Sequence, residues 1–168
     1  VLIAATATPV SMAILEVAFE TKTPQIAMAP VPPAGEKSAW IFSTPQNFGL
    51  MATAIAGLGS VNALVNSAAT TDRGTLLDTT PQMWQQQMDT NARGPFLLMQ
   101  ALVRHLLERR APGSIVNILS QSAHCGQSFL VPYSASKATL ANLTKNVAQS
   151  FRAQRIRCNG VMAGWMDT

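Results

Sequence analysis

Three side chains between residues 120 and 137 have types and spacing that suit proton transfer to or from a substrate oxygen. Tyr133 and Lys137 are four residues apart, so on one helix they would lie on the same face. An ammonium group near a phenol stabilises the phenolate form and favours general acid-base chemistry. Ser120 ends an apolar run, and its hydroxyl could hold a carbonyl or alcohol oxygen beside that phenol. A tyrosine four residues before a lysine is by itself usually a surface pair, so the chemistry depends on all three residues.

Strand and helix signals alternate along the chain and predict the elements that would position these residues. Apolar runs predict strands at residues 1–4, 25–29, 39–42, 62–66, 114–119 and 157–162. Helices are expected from Pro9 to about residue 20, from 45 or 46 to 58, from Pro81 onward, and over 96–108 and 132–151. Strands that alternate with crossover helices form a parallel sheet. Ligands of such sheets bind at the carboxyl ends of the strands, here after residues 4, 66, 120 and 162.

Composition excludes several other classes of protein. The 168 residues are 48% hydrophobic and 12% charged, as expected for one globular domain and not for a disordered chain. No apolar run reaches the length of a membrane span. A scattered net charge of +4 does not favour nucleic-acid binding. Two cysteines provide no disulfide framework and no metal cluster, and together with an opening segment that lacks a basic leader they predict a cytoplasmic location.

The segment that includes Ser120, Tyr133 and Lys137 resembles the short-chain dehydrogenase/reductase family, through SIVNILS and YSASK. LVNSAA at residues 64–69 resembles the family's NNAG element, Asn91 in TNARGPF its helix asparagine, and RCNGVMAGWMDT its sixth strand and following turn. The resemblance implies one Rossmann-like α/β domain over residues 1–168, a doubly wound parallel sheet with helices on both faces. The family normally continues into a substrate-covering segment and a seventh strand, and the chain as given is expected to lack both.

The resemblance also implies an activity and a role for each residue. The chain would be an NAD(P)-dependent oxidoreductase that transfers hydride between nicotinamide and a ketone or secondary alcohol. Tyr133 would be the general acid/base, Lys137 would support it and bind the nicotinamide ribose, and Ser120 would polarise the substrate oxygen. Asn91 would hold a water in the proton relay. Helices 96–108 and 132–151, which are apolar on more than one face, would pair between subunits in a homo-oligomer, a dimer or tetramer.

The predicted cofactor half departs from the family pattern. The resemblance assigns cofactor binding to Ala5, Thr6, Pro9, Val10, Asn66, Ala68, Tyr133, Lys137, Gly164 and Thr168. Ala5, Pro9 and Ser11 occupy the three glycine positions of the phosphate loop, where glycine lets the backbone approach pyrophosphate closely. Weakened nucleotide binding is therefore expected. The cofactor is NADP or NAD, with NADP slightly favoured because no acidic residue ends the second strand.

Two other functions stay open at the level of the sequence. The lost glycines agree with a non-catalytic relative, a binding or assembly subunit without nucleotide affinity. A non-redox enzyme on the same fold is the second alternative, although a ribose-binding lysine would have little purpose there. In the loop after Ser120, His124 and Cys125 are expected to be pocket lining or plain loop, and no metal site is expected. Gln127, Phe129 and Val131 are expected to shape the substrate side.

Overall fold

A computed structural model of the chain describes residues 2–4, 25–27, 41–43 and 50–164. The described part contains strands β1 Leu2–Ala4, β2 Gln25–Ala27, β3 Ile41–Ser43, β4 Ala63–Asn66, β5 Gly113–Ser120 and β6 Ile156–Ala163. Its α-helices are α1 Leu50–Leu58, α2 Pro81–Met88, α3 Gly94–Glu108 and α4 Val131–Phe151. A π-helical turn, Asp89–Arg93, joins α2 to α3, and short 3₁₀ turns follow β5 and α4. The helix predicted from Pro9 lies outside the described residues.

The strands are parallel throughout, as predicted. β1 pairs with β2 and β2 with β3, while β4 pairs with β5 and β5 with β6. Since β1 lies beside β4, the strand order is β3-β2-β1-β4-β5-β6. This order is that of a doubly wound dinucleotide-binding sheet, in which ligands bind at the carboxyl edge. That edge carries Ser120, which is opposite Ala163 in the register of β5 and β6.

Local sequence signals set two of the helix ends. The Thr80 hydroxyl accepts the N–H of Met83 at 3.1 Å, and Pro81 follows at the first helical position. Gly59 ends α1 with a φ of +69°, a left-handed conformation that favours glycine.

Helices α3 and α4 pack on β4, β5 and β6 and on each other, through a core of Leu64, Leu102, Leu106, Ile115, Leu140 and Ile156. None of the helices that the structure describes has both the length and the apolar character needed to cross a bilayer.

The stretch before residue 96 differs from the prediction. The sequence predicts separate helices from Pro81 and over 96–108, whereas the observed helical path runs from α2 through the π-helical turn into α3. Within this turn the Gly94 N–H bonds back to the Asp89 carbonyl. Pro95 has no N–H to offer, and a widened turn accommodates that missing donor without ending the helix. As a result, Asn91 and Ala92 are carried into the interior.

Candidate active site

A cleft of about 290 Å³ opens at the carboxyl edge of the sheet. Ser120, the last residue of β5, and Tyr133, in the first turn of α4, both line it. Gly164, directly after β6, lines it as well. A strand end and a helix start therefore bring the two predicted hydroxyl groups to one cavity, large enough for a small molecule.

The Ser120 side chain is oriented by the turn that follows it. Its Oγ accepts the backbone N–H of Ser122 at 3.2 Å, and the Ser122 hydroxyl donates to Gln127 Oε1 at 2.8 Å. The described contacts give the Ser120 hydroxyl hydrogen no acceptor of its own. Ser120 can therefore donate to an oxygen atom that enters the cleft.

Lys137 is buried behind the Tyr133 ring. Its ammonium nitrogen lies 5.8 Å from the ring centroid, on the shared helix face that the four-residue spacing predicts. The lysine is only 2% exposed, and its Nζ donates to the Ile118 carbonyl of β5 at 2.8 Å. Burial lowers the pKa of Lys137 from 10.5 to about 8, so the group is still mostly cationic at neutral pH. A fixed positive charge thus lies next to the only tyrosine of the chain.

Asn91 is fully buried and joins three parts of the site. Its Nδ2 lies 2.9 Å from each of the Thr70 carbonyl, Gln87 Oε1 and Ser136 Oγ, and its Oδ1 accepts the Thr70 N–H at 2.9 Å. These contacts tie the loop after β4 to helix α2 and to helix α4. Since both amide hydrogens are engaged within the protein, only oxygen atoms of Asn91 are left to hold the predicted relay water.

The residues predicted to bind the cofactor fall into three groups. Asn66 is 5% exposed, and its Nδ2 donates to Asn117 Oδ1 at 2.7 Å, so this side chain amide is used inside the fold. Ala68 is buried, while Gly164 lines the cleft with Tyr133. Tyr133 and Lys137 lie in the site as described above, and the other five predicted residues lie outside the described residues: Ala5, Thr6, Pro9, Val10 and Thr168.

Asn117 is a buried polar residue that the sequence analysis missed. It lies in the middle of β5 with no solvent exposure, and its Nδ2 donates to Thr144 Oγ1 of α4 at 2.8 Å. Together with the bond from Asn66, this amide links β4, β5 and the helix that carries Tyr133. The available signal was an asparagine at the centre of the apolar run SIVNILS, where an amide needs internal partners.

The loop between β5 and α4 agrees in part with its predicted lining role. Gln127 and Phe129 line the cleft, whereas Val131 begins α4 and is not among the lining residues. His124 and Cys125 are exposed and do not line the cleft, which leaves them as plain loop. Within the described ranges, no group of three histidine, cysteine, aspartate or glutamate side chains could hold a metal ion.

Comparison with known proteins shows which proteins this chain is similar to in sequence. A profile of the short chain dehydrogenase family matches residues 43–168. Carbonyl reductase (NADPH) 2 of Sus scrofa is 37% identical over 108 residues, which are 64% of this chain and 44% of that protein. The 5-keto-D-gluconate 5-reductase of Escherichia coli (strain K12) is 32% identical over 111 residues, 66% of this chain and 43% of that protein. The matched segment thus spans less than half of either relative.

A solved structure extends the likeness to nearly the whole fold. The structure of a 4-hydroxyisoleucine dehydrogenase complexed with NADH and succinate superposes with a TM-score of 0.78 at 23% identity. That superposition covers 100% of this chain and 83% of the other one. It confirms the doubly wound, Rossmann-like α/β fold. The family profile covers most of the chain, and the chain therefore belongs to the short chain dehydrogenase family.

Proposed function

We propose that this chain is the nucleotide-binding and catalytic part of an NAD(P)-dependent oxidoreductase that interconverts a ketone and a secondary alcohol. The observation that carries the proposal is the convergence of Ser120 and Tyr133 on one cleft, with the Lys137 ammonium buried behind the tyrosine ring. The two relatives described above are named as reductases of carbonyl compounds, which supports the same class of reaction.

Each of the three side chains has a distinct task in this proposal. The Ser120 hydroxyl donates a hydrogen bond to the substrate oxygen and holds it next to the phenol. Tyr133 gives its proton to that oxygen during reduction and removes a proton during oxidation. The Lys137 charge stabilises the phenolate that remains after proton donation. When bound, the nicotinamide cofactor supplies or accepts the hydride.

The donors at Lys137 fit the cofactor that the family uses. An ammonium group has three N–H donors, and among the described residues one of them is used, for the Ile118 carbonyl. Two donors are left for ribose hydroxyls at the same edge of the sheet as the cleft. The pig relative carries NADPH in its name, and we favour NADP slightly over NAD for this chain.

Asn91 acts in this proposal as a positioning residue, since it holds the loop after β4 against α4.

We also propose that the protein is a homo-oligomer that associates through α3 and α4. An apolar groove of about 260 Å³ runs between these helices, and two of its lining residues, Phe96 and Leu107, are about 40% exposed. Covering such a surface with the same surface of a second copy would remove apolar area from water. A cytoplasmic location stays a prediction from the two cysteines.

The experiment that tests the activity compares the wild type with Tyr133→Phe. The substitution removes the proton donor and keeps the ring, so reduction of ketones by NADPH or NADH should fall by about a hundredfold or more. Calorimetric affinity for the nucleotide should stay within about twofold of wild type. Turnover in Y133F above a tenth of the wild-type rate would refute the role of the tyrosine. Failure of the wild type to bind either nucleotide would instead favour a non-catalytic binding subunit.

A further inference from the structure

The cleft carries one cationic side chain that the proposed reaction does not use. Arg73 lies in the loop between β4 and α2 and lines the cleft together with Ser120 and Tyr133. Of the described residues that line this cavity, Arg73 is the only one with a formal charge at neutral pH. Asp72, its neighbour in sequence, is not among the lining residues, and the described residues give Arg73 no carboxylate partner.

An aromatic ring holds the guanidinium group in this position. The Arg73 guanidinium carbon lies 5.5 Å from the centroid of the Phe129 ring, within the range of a cation–π interaction. Phe129 is itself 39% exposed and lines the same cleft. A planar guanidinium stacked on a ring keeps its N–H donors free at the edge, where they suit a carboxylate or a phosphate.

The backbone beside Arg73 is fixed to the loop that carries Phe129. The Gly74 N–H donates to the Phe129 carbonyl at 2.9 Å, and the Val131 N–H donates to the Gly74 carbonyl at 3.0 Å. A Cβ at Gly74 would lie 2.6 Å from the Thr79 hydroxyl oxygen, so this approach needs glycine. The loop therefore holds its arginine at a set position relative to Phe129 and the start of α4.

We propose that Arg73 binds an oxyanion on the substrate, so that the cleft takes a ketone or alcohol that also carries a carboxylate or a phosphate ester. This inference rests on the proposed oxidoreductase function for its substrate, while the anion contact itself can be measured as binding. The positive charge of Lys137 lies behind the tyrosine, and no acidic side chain among the described lining residues opposes an anion. The anionic group would dock on Arg73, and the reacting oxygen would lie between Ser120 and Tyr133.

The test uses pairs of compounds that differ only in charge. The full-length protein is assayed with α-, β- and γ-keto acids against their methyl esters, and with dihydroxyacetone phosphate against dihydroxyacetone. The variants are Arg73→Gln, Arg73→Lys and Phe129→Leu. Arg157→Gln is the matched control, because Arg157 is exposed near the start of β6, at the opposite edge of the sheet, and bonds to Ser114. The pair in which the charged compound has the larger advantage in kcat/KM is the preferred pair. It shows whether the cleft takes a carboxylate or a phosphate.

The expected result is a change in KM that is confined to charged compounds. For the wild type, the anionic member of the preferred pair should have the higher kcat/KM, and its KM should rise with ionic strength. Arg73→Gln should raise that KM by about tenfold with little change in kcat, since a charge-assisted contact to a remote group contributes uniform binding. The KM of Arg73→Lys should lie between those of the wild type and Arg73→Gln. Phe129→Leu should raise KM by about two- to fivefold. Arg157→Gln should leave every value within about twofold of wild type.

Two outcomes would overturn this inference. One is a wild type with the same kcat/KM for the charged and the neutral compound of each pair. The other is an R73Q variant whose KM rises equally for both compounds. Calorimetric binding of the keto acids and of dihydroxyacetone phosphate, with and without Arg73, gives the same comparison without turnover. If the wild type binds these anions through Arg73 but reduces none of the ketones, the oxidoreductase proposal fails while the anion site stands.

Discussion

Replacement of Lys137 by methionine tests whether a charge is buried beside the tyrosine. The folded-state pKa of Lys137 is about 8, against 10.5 for an ordinary lysine. Between these two values the unfolded chain binds more protons than the folded chain, so this residue makes wild-type stability rise with pH. Well below pH 8 both states are protonated, and the charged form is buried at a cost of roughly 3 kcal/mol.

The size of the effect follows from the two pKa values. The linkage relation gives a cost of charge burial of roughly 3 kcal/mol at pH 7 and roughly 2 kcal/mol at pH 9. Methionine carries no proton, so the stability of K137M relative to wild type should fall by roughly 1 kcal/mol from pH 7 to pH 9. The lost hydrogen bond to the Ile118 carbonyl shifts the absolute difference at both pH values but contributes little to this change.

Urea denaturation at pH 7, 8 and 9, followed by tryptophan fluorescence, measures the difference in the free energy of unfolding. Lys145→Met is the matched control, because Lys145 is exposed on the same helix, and its difference from wild type should not change with pH. K137M should also lose ketone reduction, since the charge that stabilises the phenolate is gone. If the difference in free energy of unfolding between K137M and wild type does not change from pH 7 to pH 9, the claim that burial lowers the pKa of Lys137 is refuted.

Two further predictions concern the buried amide network beside the site and the proposed subunit interface. Asn117→Ala removes the acceptor of the buried Asn66 amide and the donor to Thr144. It should lower the free energy of unfolding by roughly 2–4 kcal/mol. Thr144→Val removes one acceptor and should lower the free energy of unfolding by about 1 kcal/mol. A loss below about 1 kcal/mol for N117A in urea denaturation would contradict the role of this network. Leu107→Glu should shift the protein to a smaller species in light scattering, whereas Leu77→Glu, at a 96% exposed position outside the groove, should not. An unchanged mass for L107E would exclude α3 from the interface.

Local signals in the sequence predicted most of the described elements to within a few residues. Apolar runs predict strands because a parallel strand covered on both faces needs apolar side chains throughout. Thr80 and Pro81 predict a helix start because one offers an acceptor and the other lacks a donor. The π-helical turn before α3 was missed, since a glycine and a proline in succession usually end a helix, and here Pro95 is accommodated by a widened turn.

The sequence by itself determined that Tyr133 and Lys137 share a helix face and that Ser120 ends a strand, because these relations depend only on helical spacing and on where an apolar run stops. Only the tertiary structure decided which distant groups meet. Asn91 bonds to Ser136, 45 residues away, Asn117 lies between Asn66 and Thr144, and Arg73 lies over the Phe129 ring. These contacts arise from the order of the strands and the path of the loops, because buried amides take whichever partners the packed sheet and helices bring within hydrogen-bond distance.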